Sequence, residues 1–445
     1  MTATDLRRPV PFGGYHAKSL PDNDAELTHT GPRTPAGEYF RRFWHPVMLS
    51  SGVRDLPVPV RILGENLVLF RDKGGRIGLL DRHCSHRGAS LEFGVVTDCG
   101  LACCYHGWVY DIDGTVLETP GEPANSRLKD RVFHGAYPTH EEGGLIFAYM
   151  GPPAEKPPFP VFDSFVVPGN ERVPYYLPFE CNWLQVHENG MDPIHGVFLH
   201  TRMSGVQFAE IFGALPFLEF TETRIGVMST AARRWGDHVW VRNIDAVLPN
   251  FCQFGATWED GKCEKYFTPP AIGRWIVPVD DTHCLTVGWR HVNDLVDPAG
   301  RTRNEDMGMG KVDFAGQQPE GSYRDRQRNP GDWDAQVSQR PIAVHGVENL
   351  GSTDVGIQLV RRQLRRAIRA VQEGERVTPL PAGPDGVIPS FSHDTVLVKA
   401  LANDQDEMTQ LADIGRRVAK IVLESADVPR ARRATHIESA IRAGT

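Results

Sequence analysis

Between residues 39 and 155, apolar and polar positions alternate in short runs of strand length. VPVRILGENLVLFRD alternates around a Gly64-Glu65-Asn66 turn, IGLLD follows a KGG turn, and WVYDIDGTVLE sets Asp113-Gly114 between two apolar runs. Period-two alternation broken by such turns predicts an all-β region ending near GLIFAYMGPP. The next stretch, GPPAEKPPFPVFDSFVVP, is proline-dense and predicts a linker over 156–170. From 171 the pattern changes. PFECNWLQVHENGMDPIHGVFLH reads as helix interrupted at Gly190 and Pro193, residues 215–292 return to strand-like runs, and the polar segment 296–332 predicts a long surface loop. Two amphipathic helices are expected near the end. In IQLVRRQLRRAIRAV, Val360, Leu364, Ile368 and Val371 form one stripe, and from about Asp404 to Glu424 the residues Met408, Leu411, Ile414, Val418 and Ile421 form another. Residues 1–38, rich in Pro, Gly and polar side chains, predict an N-terminal arm.

Composition narrows this picture without redrawing it. A chain of 445 residues exceeds the size at which single cores stop growing, about 250–300 residues, so at least two domains are expected. The net charge of −8 argues against nucleic acid as a partner, and no run resembles a membrane span or a secretory signal. A cytoplasmic location and no membrane partner are therefore expected. Eight cysteines are too few for a disulfide framework, but Cys84, Cys99, Cys103 and Cys104 are bunched. Cys181, Cys252, Cys263 and Cys284 are scattered and read as buried structural thiols.

The bunched cysteines carry the first chemical signal. Cys84-x-His86 and Cys103-x-x-His106 each put one thiolate and one imidazole on a short loop between strands. Two thiolates and two imidazoles suit either a zinc ion or a two-iron cluster with mixed ligation. Zinc fingers group Cys with Cys and His with His, whereas each half here contains one of each. His83 and Cys104 break the spacing, and Cys104, adjacent to Cys103, should point away from any shared centre. Gly88, Gly107 and the Thr119-Pro120-Gly121 turn are expected to keep side chains from crowding it.

The second signal is Glu188-Asn189-x-x-Asp192-x-x-His195-x4-His200. Two histidines near a carboxylate suggest the two-His-one-carboxylate face of non-haem Fe(II) oxygenases. Positions five apart differ by roughly 140° around a regular helix, so both rings reach one ion only if the helix is broken between them; Gly196 is the expected break. Asp192, three residues before His195, has two open roles: iron ligand, or acceptor orienting a histidine ring.

The segments DRHCSHRGASL and CCYHGWVYDIDG, together with NWLQVHEN and its following Asp and His residues, resemble the Rieske non-haem iron aromatic-ring oxygenases. The general resemblance is to the catalytic α subunit of the phthalate dioxygenase and aryl ether O-demethylase branch, and it runs from about residue 35 to the C-terminal helices. It implies an α+β protein: an all-β Rieske [2Fe-2S] domain over 39–155 and, over 171–445, a catalytic domain whose antiparallel sheet is flanked by helices in a helix-grip, START-like arrangement. It implies a [2Fe-2S] cluster on Cys84, His86, Cys103 and His106, and mononuclear Fe(II) on His195 and His200. Asp192 would bridge His195 to His106 of a neighbouring subunit. The third iron ligand would come from GDWDAQVSQRPIAVHGVENLGSTDVGIQLVRRQL, where the match selects Asp334 with Asp332 as the nearest competitor; His345 and Asp354 are expected to be structural or to support a ligand from behind. Asn189 sits one residue closer to the bridging aspartate than in dihydroxylating relatives, which argues against a role at iron.

The resemblance further implies an O2-dependent oxidoreductase, fed from NAD(P)H through a separate flavin/iron-sulfur reductase or ferredoxin, that hydroxylates or O-demethylates a small aromatic substrate, among them carboxylate-bearing ones. Cis-dihydroxylation is the alternative. A homotrimer or stacked hexamer is expected. A Rieske electron carrier or a zinc-binding protein would be a different class, but about 290 residues beyond the linker, with their own histidine motif, argue against both. Arg202, Arg234 and Arg242 are candidates for holding a substrate carboxylate.

Overall fold

The computed structural model describes residues 11–12, 20–399, 401 and 406–444. Residues 1–10 and 13–19 of the expected N-terminal arm, and the Asp404 start of the expected second helix, lie outside the described residues; that helix runs Glu407–Glu424.

The alternating N-terminal region folds into three antiparallel sheets. The hairpin predicted around Gly64 pairs Val58–Ile62 with Glu65–Arg71, with Leu63 and Gly64 both at positive φ. A second four-stranded sheet runs from Val95–Thr97 to Val116–Glu118. Between these two sheets lies a small separate core of Val68, Phe70, Leu80, Leu91, Leu101, Trp108 and Tyr110, and Cys84 and Cys103 are buried in it. The third sheet, Trp44–Leu49 with Leu145–Tyr149 and Thr139–Glu142, belongs instead to the main core, where Phe147 meets Trp275 edge-on at 5.2 Å.

That main core is built on a nine-stranded antiparallel sheet. Its path runs through Glu171–Phe179, His283–Val292, Ile272–Asp280, Phe251–Phe254, His238–Val247, Gly226–Trp235 and Phe217–Glu222, with His393–Val398 joining at His238–Val247. The helices Val355–Gln372 and Glu407–Glu424 lie across its last two strands. Val360, Leu364 and Ile368 are buried as their stripe requires, and the helix Arg430–Gly444, which the periodicity did not single out, closes the chain. No helix among the described residues is long and apolar enough to cross a membrane.

Two expectations change. The proline-dense stretch is anchored to the core: Phe162 and Phe165 are buried, with Phe162 at 4.8 Å from Phe251 and Phe165 at 4.9 Å from Trp289. The segment 296–332 does run largely as loop, but it folds inward, burying Met307, Phe314, Gln317 and Asp332. Its polar composition hid this because the buried polar groups find partners there rather than water.

Candidate functional site

The two cysteine loops are built alike. The Cys84 N–H donates to Ala89 O and the Gly88 N–H returns to Cys84 O; the Cys103 N–H donates to Trp108 O and the Gly107 N–H to Cys103 O. Gly88 and Gly107 have φ of +74° and +73°, so glycine is required at the loop ends for its backbone. A Cβ at Gly88 would meet no protein atom within 4 Å, so it is the backbone conformation that calls for glycine there. The Tyr110 hydroxyl contacts Cys84 Sγ at 2.9 Å and receives a bond from Ser85 Oγ. His86 and His106 stand together, rings 4.5 Å apart, exposed at the protein surface, with His86 stacked on Trp108. Tyr105 and Arg87 flank them. Cys104 is exposed, as its position next to Cys103 requires, and His83 Nδ1 lies 3.2 Å from Gly88 O. Of the scattered cysteines, Cys181, Cys252 and Cys284 are buried but Cys263 is exposed, correcting its structural reading.

The donor set separates the two metal readings. A single tetrahedral ion needs all its ligand atoms mutually close. Among the described residues, the only groups of three or more potential ligand atoms within 4.8 Å of one another are His195 with His200 and Asp332, and Glu188 with His345 and Glu348. The Cys and His of the two loops are not among them. A buried thiol pair and an exposed imidazole pair, held apart, fit a two-iron cluster and not one zinc.

The second motif begins on the helix Trp183–Asn189, whose Asn182 cap accepts from Leu184 N. A new short helix, Pro193–Val197, is capped by Asp192, whose Oδ1 accepts from Ile194 N and His195 N. The chain then widens into a π-type turn over Phe198–Met203. This turn, not Gly196, is the break that lets residues five apart aim at one point. His195 Nε2 and His200 Nε2 lie 3.6 and 3.4 Å from Asp332 Oδ1.

Asp334, the residue the resemblance selected, is elsewhere. Its Oδ1 accepts from Arg326 Nη1 at 2.8 Å and its Oδ2 caps Gly331 N at the start of the helix Asp332–Val337. Two positions on a helix differ by roughly 200°, so only one of Asp332 and Asp334 can face the histidines. His345 and Asp354 do not join this group; Asp354 Oδ2 accepts from Gly351 N.

Each side chain of the triad is held by a further contact. His200 Nδ1 meets Gln207 Oε1 at 2.8 Å, fixing its ring, and His195 Nδ1 meets the Asp192 carbonyl oxygen. Gln317 Nε2 donates to Asp332 Oδ2 at 2.5 Å. Burial alone would raise the Asp332 pKa, but His200, His195 and Gln317 together hold it far below the usual carboxylate range. Burial outweighs the neighbouring carboxylates at His195 and lowers its pKa; at His200 burial also lowers it, but Asp332 and Gln207 together outweigh burial and raise it. Two nitrogens and an ionised oxygen converging on one point, each oriented from behind, suit a divalent iron. Gln207 and Gln317 carry no signal in the sequence, because their partners are brought to them only by the fold.

The triad opens into a cavity of about 110 Å³ walled by Phe208, Phe212, Phe254, Phe314, Ile244 and Ile272. Arg202 and Arg234 are surface residues, bonded to Gly213 O and Glu407. Arg242 does line the cavity, but Asp394 holds it through Oδ1 and Oδ2 at 2.8 and 2.9 Å. Arg233 and Arg274 also face the cavity. Burial, reinforced by Arg242, pushes the Arg233 pKa down to about 9.

The Rieske [2Fe-2S] domain profile matches residues 43–133. The chain is 41% identical to the tert-butanol monooxygenase / tert-amyl alcohol desaturase oxygenase subunit of Aquincola tertiaricarbonis, over 96% of this chain and 94% of that one. It is 39% identical to the phenoxybenzoate dioxygenase subunit alpha of Ectopseudomonas oleovorans, over 79% and 86%. In fold it is similar to dicamba monooxygenase bound to dicamba, with a TM-score of 0.57 at 20% identity, over 75% of this chain and 98% of that one. The chain belongs to the Rieske non-haem iron oxygenases, as an oxygenase subunit that uses a [2Fe-2S] cluster and a mononuclear iron.

Proposed function

We propose that this subunit hydroxylates or O-demethylates a small aromatic substrate, with Fe(II) held by His195, His200 and Asp332 and the cluster held by Cys84, His86, Cys103 and His106. The observation that carries the reading is the convergence of His195 Nε2, His200 Nε2 and Asp332 Oδ1 on one point at the wall of an aromatic-lined cavity. When bound, the iron activates O2 with electrons that a separate NAD(P)H-dependent reductase or ferredoxin has delivered to the cluster. The protein's part is to orient the ligands through Gln207, Gln317 and Asp192, to seat the substrate among the phenyl rings, and to limit water there.

Asp192 is proposed as the bridge to the cluster of a neighbouring subunit in a homotrimer or stacked hexamer. Oδ1 is engaged by its own helix, while Oδ2 lies 4.0 Å from His195 Nδ1 and the side chain is 31% exposed. A carboxylate with one side on the iron histidine and one side open to solvent suits that task, and the exposed His86–His106 edge suits the other half of the contact.

A compact tertiary alcohol is the second reading of the substrate. The small cavity favours it, as does the name of the Aquincola relative. Oxygen uptake with a reductase and NADH, and product identification across benzoates, aryl methyl ethers and tert-butanol, tests both. Phenols, or formaldehyde from a methoxy group, are expected; turnover confined to tert-butanol would replace the aromatic reading.

A further inference from the structure

Among the described residues, two of the three arginines on the cavity wall have no carboxylate in contact. Arg242 and Asp394 form a closed pair, whereas neither Arg233 nor Arg274 is ion-paired among the described residues. Both are buried, at 2% and 6% exposure. Arg233 Nε donates to Ala214 O, and its Nη1 has no partner; Arg274 Nη1 donates to Gln317 Oε1 at 3.3 Å, and its Nε has none. Their guanidinium planes are fixed by aromatic faces, with Arg233 Cζ 4.9 Å from the Trp240 ring centre and Arg274 Cζ 4.6 Å from that of Phe254. Two desolvated, preorganised cations facing one small cavity match an anion that enters with the substrate.

Arg274 does not stop at the cavity. Gln317, itself 2% exposed, accepts from it through Oε1 and donates through Nε2 to Asp332 Oδ2. One carboxamide therefore joins a cavity-facing cation to the carboxylate of the triad. We propose that Arg233 and Arg274 hold a carboxylate of the substrate and that Gln317 is a positioning residue which transmits that occupancy to Asp332. When a carboxylate takes hydrogen bonds from Arg274, its hold on Gln317 Oε1 weakens. The Gln317 amide is then freer to follow Asp332, and the oxygen it bonds changes its share of charge. The inference rests on the triad reading above, and it gives the iron site a way to sense a charged substrate that a neutral one lacks.

The test uses the holoenzyme without oxygen, with benzoate as the probe and benzyl alcohol as its neutral counterpart of similar shape. Calorimetry should give benzoate at least about tenfold tighter binding than benzyl alcohol, a margin lost in Arg233→Gln and in Arg274→Gln while benzyl alcohol binding is kept. Near-infrared magnetic circular dichroism of the mononuclear Fe(II) should shift with benzoate and not with benzyl alcohol. In Gln317→Leu, or in Gln317→Met if the first folds poorly, benzoate should still bind within about threefold of wild type, yet leave the spectrum unmoved. Unchanged benzoate affinity in both arginine variants would overturn the subsite. A benzoate shift that survives in the Gln317 variant would overturn the relay. Wild-type protein with cluster iron but no mononuclear Fe(II) bands would overturn the triad reading and the relay with it, and iron analysis distinguishes that case from the others.

Discussion

Asp192 turns its three oxygens to three different tasks. Its backbone carbonyl fixes His195 Nδ1, its Oδ1 caps the helix that carries His195, and its Oδ2 is left for another partner. Asp192→Asn keeps the carbonyl and a capping oxygen but removes the charge. The mononuclear iron and the cluster should both remain, while single-turnover oxidation of the reduced cluster slows by at least about tenfold. Stopped-flow absorbance of the cluster measures this, and unchanged cluster oxidation would end the bridging role. The neighbouring choice between Asp332 and Asp334 shows where reading residues in isolation fails. The resemblance placed a ligand aspartate in GDWDAQ and selected Asp334, whereas the fold turns Asp332 toward the histidines. A local signal was present: Asp334 is the third residue of a helix preceded by Pro330-Gly331, where a carboxylate caps backbone N–H groups. Asp332, at the first position, is the one left free to face outward from the cap.

At the scale of elements, the triad depends on seating the helix Asp332–Val337 against the helix Trp183–Asn189 and the histidine segments that follow it. Gln185, buried on the first of these, donates to Gln336 O and Arg340 O and accepts from Ala343 N, so three backbone groups are tied to one side chain. Gly331 packs on Gly316, and a Cβ there would lie 2.2 Å from Gly316 Cα. Gly331→Ala therefore forces Asp332 away from His195 and His200 without removing any polar group. It should lower mononuclear iron affinity by at least about tenfold, measured by chelator competition, while the cluster absorbance is unchanged. The elements themselves were largely legible: the hairpins from their turns, and the helix Val355–Gln372 from its stripe. What composition could not convey was the inward fold of 296–332, because Gln317 and Asp332 also meet partners outside that segment, Arg274 and the two histidines. The burial of Phe162 and Phe165 was hidden in the same way by the prolines around them.

For the whole molecule, the proposed electron transfer between subunits makes a demand that no single chain can meet. Co-expressing a Cys103→Ser chain, which lacks its cluster, with an Asp332→Ala chain, which lacks its mononuclear iron, should yield mixed oligomers with activity that neither parent has. Differently tagged chains, purified over both tags and assayed for oxygen uptake coupled to product, measure it; inactivity of a mixed oligomer with both centres loaded would confine transfer to one chain. The fold also sets a lower pH limit. Burial holds His45 and His393 neutral, with pKa values near 4 against 6.5 for a free imidazole. Unfolded chains bind these protons at higher pH than folded ones. The stability from keeping them neutral is therefore fully present above pH about 6.5 and is lost as pH falls toward 4. Each should contribute about 2 kcal/mol of destabilisation at pH 5, read from denaturant midpoints at pH 7.5 and 5.

The central claim is that His195, His200 and Asp332 hold an iron separate from the cluster. Iron and acid-labile sulfide analysis of the wild type, Asp332→Ala and Asp334→Ala tests it most directly. About three irons and two sulfides per chain are expected for the wild type and for Asp334→Ala, and about two irons with sulfide unchanged for Asp332→Ala. A third iron that persists in Asp332→Ala and is lost in Asp334→Ala would contradict it.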